Sequence, residues 1–207
     1  MDPLIRFLRA KPWARRTLSI LSAALLVSAV GVLGYPVYTN VYHDRVQSRL
    51  DREIASPEVK RAYQQRKLGD GDPLTRIRIP TLGVDTIVVE GTSASALRAG
   101  AGHYPDTPLP CEVGNVAIAG HRTTYGKPFN QLDRLKTGDV VILETPIGSC
   151  TYEISVAPRV IMPTDLSVVA DRPAEQLLTL TTCHPKGSAS RRLYVQAKLT
   201  KGTGAPA

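Results

Sequence analysis

The sequence predicts a mainly β fold: a closed or nearly closed β-barrel of seven to eight strands with short helices, preceded by one N-terminal transmembrane helix. Three observations predict it. Short segments with period-two or β-branched patterning, separated by turn residues, recur through residues 74–199, the pattern of a small barrel. An uncharged run from Thr17 to Tyr38, rich in Leu, Val, Ala and Ser, is long enough to span a membrane. Between the two, a charged stretch closes on Gly69-Asp70-Gly71-Asp72-Pro73, a cluster of turn formers expected at a domain boundary.

The formal net charge is +8, with 21% charged and 5% aromatic residues, ordinary for a globular chain. Residues 1–16 form a basic tail in which Arg6, Arg9, Lys11, Arg15 and Arg16 face only Asp2. The remaining excess is spread thinly, with no basic stripe interleaved with aromatics, so no nucleic-acid partner is expected. At roughly 1.5 Å per residue, residues 17–38 can cross roughly 30 Å of hydrocarbon. The cations before this run place its N-terminal side in the cytoplasm, and Tyr35, Tyr38 and Tyr42 suit the outer interface. A cleavable signal peptide has a shorter apolar core and a small-x-small site after it, so a single-pass anchor in the cell membrane is expected, with everything downstream facing outward. Residues 39–72 read as a charged stalk. Between His43 and Asp72 seven cations nearly cancel six acids, which predicts a solvated helix or flexible linker that spaces the domain from the membrane.

The domain proper is expected over residues 73–200. Leu74–Ile79 alternates, Val84–Glu90 is β-branched, and Asn115–Ala119 is a short buried run. Asp139–Glu144 and Thr151–Ile161 form a hairpin across Thr145-Pro146-Ile147-Gly148, and Gln176–Cys183 and Arg192–Leu199 complete the set. Brief helices fit Ser93–Gly100, Pro128–Leu135 and Thr164–Ala170, and residues 201–207 read as a tail. Some 130 residues bury roughly two thirds of their surface, enough for a core without staples.

Chemistry concentrates at Leu178-Thr179-Leu180-Thr181-Thr182-Cys183-His184-Pro185. Pro185 cannot donate to a ladder and biases His184 toward extended geometry, so the strand ends at a thiol beside a loop. Such a thiol is either a nucleophile or an inert core cysteine. A nucleophilic thiol needs a base. His43 lies next to the membrane. His184 is adjacent to Cys183, but neighbouring strand side chains point to opposite faces. His103 either lines a cleft or orders its own loop. His121 ends the strand Val116–Gly120 and opens a polar loop, and a histidine at one strand end can meet a cysteine at another across a barrel rim; it is the preferred partner. Attack on a carbonyl also needs donors for the oxyanion, and Arg191-Arg192 precedes an alternating strand, so one of the pair faces the cleft and the other solvent.

Val116-Ala117-Ile118-Ala119-Gly120-His121-Arg122, Thr179-Leu180-Thr181-Thr182-Cys183 and Arg192-Leu193-Tyr194-Val195, in that order behind an N-terminal anchor, resemble the histidine block, the Thr-Leu-x-Thr-Cys signature and the arginine strand of the sortases, membrane-anchored cysteine transpeptidases of Gram-positive bacteria. The resemblance implies Cys183, His121 and Arg192 as catalytic residues, with Arg191 in place of Arg192 after a one-residue slip. Gly102-His103-Tyr104-Pro105 and the His121–Phe129 stretch look most like actinobacterial class E, with class D the near alternative. That likeness implies cleavage between Thr and Gly of a Leu-Ala-x-Thr-Gly or Leu-Pro-x-Thr-Gly sorting signal on secreted proteins, transfer to a peptidoglycan amine through a thioacyl-enzyme, and Tyr104, Thr182 and His103 beside the substrate.

Cys111 and Cys150 either form a disulfide, leaving the odd cysteine as the reactive thiol, or stay unpaired. No Cys-x-x-Cys or histidine pair has ligand spacing, so no metal or cofactor is expected. A papain-like peptidase expects a helix under its cysteine and gives no reason for Arg192, and the His-Gly-Cys-type motif of an L,D-transpeptidase is absent. A membrane-tethered binding module is the non-enzymatic alternative.

Overall fold

The structure is a computed structural model that describes residues 10–203; most of the basic tail and the last four residues lie outside them. Two compact units divide at Thr39 and Asn40. The first holds most of helix α1 (Pro12–Glu53), which is long and apolar enough to cross a membrane; Leu21, Leu25, Leu26 and Val30 on it are exposed.

The second unit is built on eight strands: β1 (Pro73–Ile79), β2 (Val84–Glu90), β3 (Ala101–His103), β4 (Gly114–Ala119), β5 (Val140–Thr145), β6 (Gly148–Ile161), β7 (Gln176–His184) and β8 (Arg191–Thr203). They close into a barrel in the order β1-β2-β3-β4-β7-β8-β6-β5. The β2–β3 and β4–β7 pairs are parallel and the rest antiparallel. The expected 145–148 hairpin is present. Sequence reading missed β3, whose three residues are too few for alternation to register. It also ended the last strand at Leu199, whereas Lys201 and Gly202 still pair with Thr151 and Cys150.

Alternation fills the interior. Val116 and Ile118, Leu178 and Leu180, and Val195 and Ala197 point inward with Ile77, Val88, Phe129 and Tyr152, each aliphatic side chain contributing on the order of 1.5–3 kcal/mol by leaving water. Tyr152 is fully buried, its hydroxyl accepting from Cys111 N–H at 3.2 Å, and burial pushes its pKa up to about 12. Cys111 and Cys150 form a disulfide.

Helix α3 (Ala94–Ala99) appears where a helix was expected, capped by Ser93 Oγ, which accepts from Ala96 N–H. The other two expected helices do not. Residues 128–135 hold a single 3₁₀ turn at Leu132–Arg134, following left-handed Tyr125, Gly126 and Lys127. Residues 164–170 form turns, because Asp165 Oδ1 takes Ser167 N–H and Oγ–H and so competes with helical bonding.

The charged segment expected to be a spacer is instead packed on the barrel over much of its length. Its charges occupy the exposed face, while His43, Gln47 and Leu50 recur at i, i+4 and i+7. Leu50 joins Ile87, Val89, Ala96 and Ala99 in a second small core. Gln47 Nε2 donates to Ile87 O and Ala99 O, and its Oε1 accepts from Ile87 N–H and Thr86 Oγ1–H. Helix α2 (Pro57–Gln64) buries Tyr63, whose hydroxyl donates to Pro110 O. The Gly-Asp-Gly-Asp turn is bonded to β2 through Gly71 N–H to Glu90 O and Glu90 N–H to Asp72 O.

Candidate active site

The strands β4, β7 and β8 lie side by side, and the residues between their inward-facing ones make an outer floor. On β7 these are Thr179, Thr181 and Cys183; on β8, Gln196, Tyr194 and Arg192 stand opposite them in register. Residues directly opposite in an antiparallel pair share a face. Cys183, a free, half-buried thiol, therefore shares its face with Arg192, while Arg191 pairs with His184 on the other. The guanidinium of Arg192 donates from Nη1 to Ala189 O and Arg191 O.

On the other side of β7, Ala119 is in register with Thr181, and the ladder continues as Gly120 N–H donates to Thr181 O at 3.0 Å. His121 thus leaves β4 at the level at which Cys183 leaves β7, on adjacent strands that in parallel sheets lie ~4.8 Å apart. Gly120 is needed for this crossing: a Cβ there would sit 2.5 Å from the Phe129 ring. Phe129 N–H donates back to His121 O at 3.2 Å, and the Tyr125 ring lies 5.4 Å from the imidazole, centroid to centroid. Burial lowers the His121 pKa below the ordinary histidine value.

Sequence reasoning passed over Arg122, which ties the histidine loop to the cysteine strand. It is 4% exposed. Its Nη1 donates to Cys183 O at 3.3 Å and to His184 Nδ1 at 2.8 Å, and its Nη2 pairs with Asp133 at 2.9 Å. Since arginine can only donate, His184 accepts at Nδ1 and carries any single proton at Nε2. Asn130 Nδ2 in turn donates to Arg122 O.

Two residues expected beside the substrate have other occupations. His103 is 1% exposed, with Nδ1 on Glu90 Oε2 and Nε2 on Pro108 O and Thr107 Oγ1; it orders its loop. Thr182 points into the barrel, where Oγ1–H donates to Gly120 O at 2.7 Å, because its parity on β7 is that of Leu178 and Leu180. Tyr104 does reach the outer floor, its hydroxyl 3.2 Å from Thr181 Oγ1. The β6–β7 loop walls the far end: Val168 O accepts from Asn115 Nδ2 and Thr179 Oγ1. Among the described residues no group of three or more His, Cys, Asp or Glu is placed to hold a metal ion.

The family described as Sortase domain matches residues 77–200. Sortase D of Bacillus subtilis (strain 168) is 34% identical over 125 residues, 59% of this chain and 61% of that protein, so the alignment spans under two thirds of the relative's length. Among solved structures, sortase E from Streptomyces avermitilis is 37% identical with a TM-score of 0.60, covering 66% of this chain and 93% of that one. A Clostridium perfringens Sortase D5 transpeptidase has a TM-score of 0.67 at 28% identity, covering 78% and 99% respectively.

Proposed function

Because the chain belongs to the sortase family, we propose that it is a membrane-anchored cysteine transpeptidase that cuts a C-terminal sorting signal between Thr and Gly and joins the freed carboxyl end to a peptidoglycan amine. The observation that supports this reading is the register that sets Arg192 of β8 opposite Cys183 and brings His121, just past the end of β4, to the level of Cys183.

In this reading the neutral His121 imidazole takes the Cys183 proton as sulfur attacks the Thr carbonyl. Arg192 donates to the oxyanion. The imidazolium then protonates the departing glycine amine, leaving a thioacyl-enzyme. An incoming amine repeats the steps in reverse: it loses a proton to His121, displaces the sulfur, and the thiolate recovers that proton. The lowered His121 pKa favours the neutral ring from which each half-reaction starts. Tyr104, bonded to Thr181 on the same face, lies beside the signal and contributes to the choice between Leu-Ala-x-Thr-Gly and Leu-Pro-x-Thr-Gly. Helix α1 anchors the protein with its N-terminus in the cytoplasm and the barrel outside.

The test uses the full chain in detergent micelles with both peptides and an amine acceptor. Thr–Gly cleavage, an acyl mass adduct on Cys183 and loss of both in Cys183→Ala are expected. Ordinary cleavage by Cys183→Ala would sink the proposal.

A further inference from the structure

The loop that carries His121 is held from a direction unrelated to the peptide-binding face. Tyr42 of α1 meets Tyr125 edge to face, with ring centroids 6.1 Å apart and planes at 78°, and Tyr125 lies tilted against His121 at 5.4 Å. One residue on, His43 is 8% exposed and its ring lies close against Gly126. That glycine has φ +70°, and a Cβ on it would sit 2.2 Å from His43 Cδ2 and Nε2. No L side chain is accommodated there. His43 and His121 are near enough that charge on one opposes charge on the other. Beside these contacts lies a cavity of about 300 Å³, lined in part by His43, Gly126, Pro128 and Asn130. The α1 segment is itself fixed, since Gln47 makes its four bonds to β2 and α3, Leu50 is buried one turn later, and Asp51 pairs with Arg76.

The geometry points to Tyr42 and His43 as positioning residues for His121: through Tyr125 and Gly126, the stretch of α1 that opens the barrel unit sets where the acid–base imidazole stands. The barrel strands alone do not complete the site. This rests on the role proposed above for His121. Aromatic edge contacts have a preferred geometry that an aliphatic group does not reproduce, and small displacements of a reacting group are costly to turnover while leaving distant substrate contacts intact.

The experiment compares Tyr42→Ala, Tyr42→Phe and His43→Ala in the full chain in micelles, measuring kcat, KM and thermal midpoint. Tyr42→Ala and His43→Ala are expected to lower kcat about ten- to a hundredfold with KM within about twofold of wild type, and Tyr42→Phe to recover most of the turnover. Wild-type kcat in a folded Tyr42→Ala, or an equal loss in Tyr42→Phe, overturns the inference. If Tyr42→Ala does not fold, Tyr42→Leu, which keeps bulk and loses the ring edge, is read in the same way. If the wild-type protein cleaves neither peptide, the functional reading fails separately. The positioning claim is then decided by modification of His121 with diethyl pyrocarbonate: faster reaction in Tyr42→Ala than in wild type and Tyr42→Phe supports it, and equal rates overturn it.

Discussion

Arg122 donates from Nη1 to the carbonyl oxygen of Cys183 at 3.3 Å, so the residue after the proposed base grips the backbone of the proposed nucleophile. The same nitrogen holds His184, and the other guanidinium nitrogen holds Asp133. One buried side chain thus spans two strand ends that carry the chemistry. Hydrogen bonds from a charged donor contribute more than neutral ones, and their loss leaves His184 Nδ1 and Cys183 O without that donor. Arg122→Ala is expected to cost about 1.5–3 kcal/mol of stability, moderated because Asp133, at 42% exposure, can return to water. Arg122→Lys recovers the charge but not the fork, so its turnover should stay well below wild type even where its fold holds. Thermal unfolding and kcat/KM of both variants check this, and a Lys variant with wild-type kcat/KM would refute it.

The register of β7 and β8 separates two adjacent arginines that composition cannot. Arg192 stands opposite Cys183 and Arg191 opposite His184. Arg192→Ala should lower kcat/KM by about 10²–10³, the usual loss for one oxyanion donor, and Arg191→Ala should change it by about twofold or less, as expected for a surface charge. Steady-state kinetics on a sorting-signal peptide measure both; the reverse ranking would mean that the peptide is read from the other face.

Much of this candidate site was legible because the three residues proposed to carry its chemistry each lie at or beside a strand end. Alternation and the Pro185 stop place Cys183, the apolar run Val116–Ala119 places His121, and the alternating Leu193–Ala197 places Arg192. Arg122 was not legible: a cation after a histidine in a polar loop reads as solvated, and its burial is produced by Asp133 and His184, which only the closed barrel brings to it. His103 misled for a related reason. Glycines and a proline around it suggest a cleft, but its character is set by Glu90, its register partner on β2. In residues 39–72 the balanced charges masked the pattern that mattered. Val46, Leu50 and Ile54 recur at i, i+4 and i+8 and pack toward the second core, with His43 and Gln47 on the same side, but three apolar residues among so many charges read as a solvated stretch.

The Cys111–Cys150 bridge closes a separation of 39 residues and ties the β3–β4 loop to β6. A crosslink over such a loop contributes about 2–4 kcal/mol, chiefly by restricting the unfolded chain. In a Cys183→Ala background, so that no free thiol can exchange, reductant should lower the thermal midpoint, and Cys111→Ala/Cys150→Ala should match the reduced form. Turnover of the double variant, with Cys183 intact, should survive below its new midpoint, since neither sulfur lies on the outer face of β7. An unchanged midpoint in protein shown by alkylation to be reduced would count against a stabilising bridge.

Both His43 and His121 have pKa values held below the ordinary 6.5 by burial, His121 adding to the effect at His43 and Asp44 opposing it. Between each lowered value and about 6.5 the unfolded chain binds a proton that the folded chain does not, so stability rises with pH through that window. It is fully present above about 6.5 and is lost as the pH falls toward the folded-state values. Among the described residues His43 Nδ1 is also buried without a hydrogen-bond partner, so Asp44 alone favours the protonated ring against burial and His121. The thermal midpoint should therefore drop on acidification from pH 7.5 to 5.5, and His43→Phe, which keeps a ring against Gly126 and removes one titrating group, should drop less. Unfolding curves across that range measure the two slopes. Parallel slopes would show that His43 is not held neutral, while a shallower slope with wild-type kcat at pH 7.5 would separate its electrostatic cost from its packing against the loop.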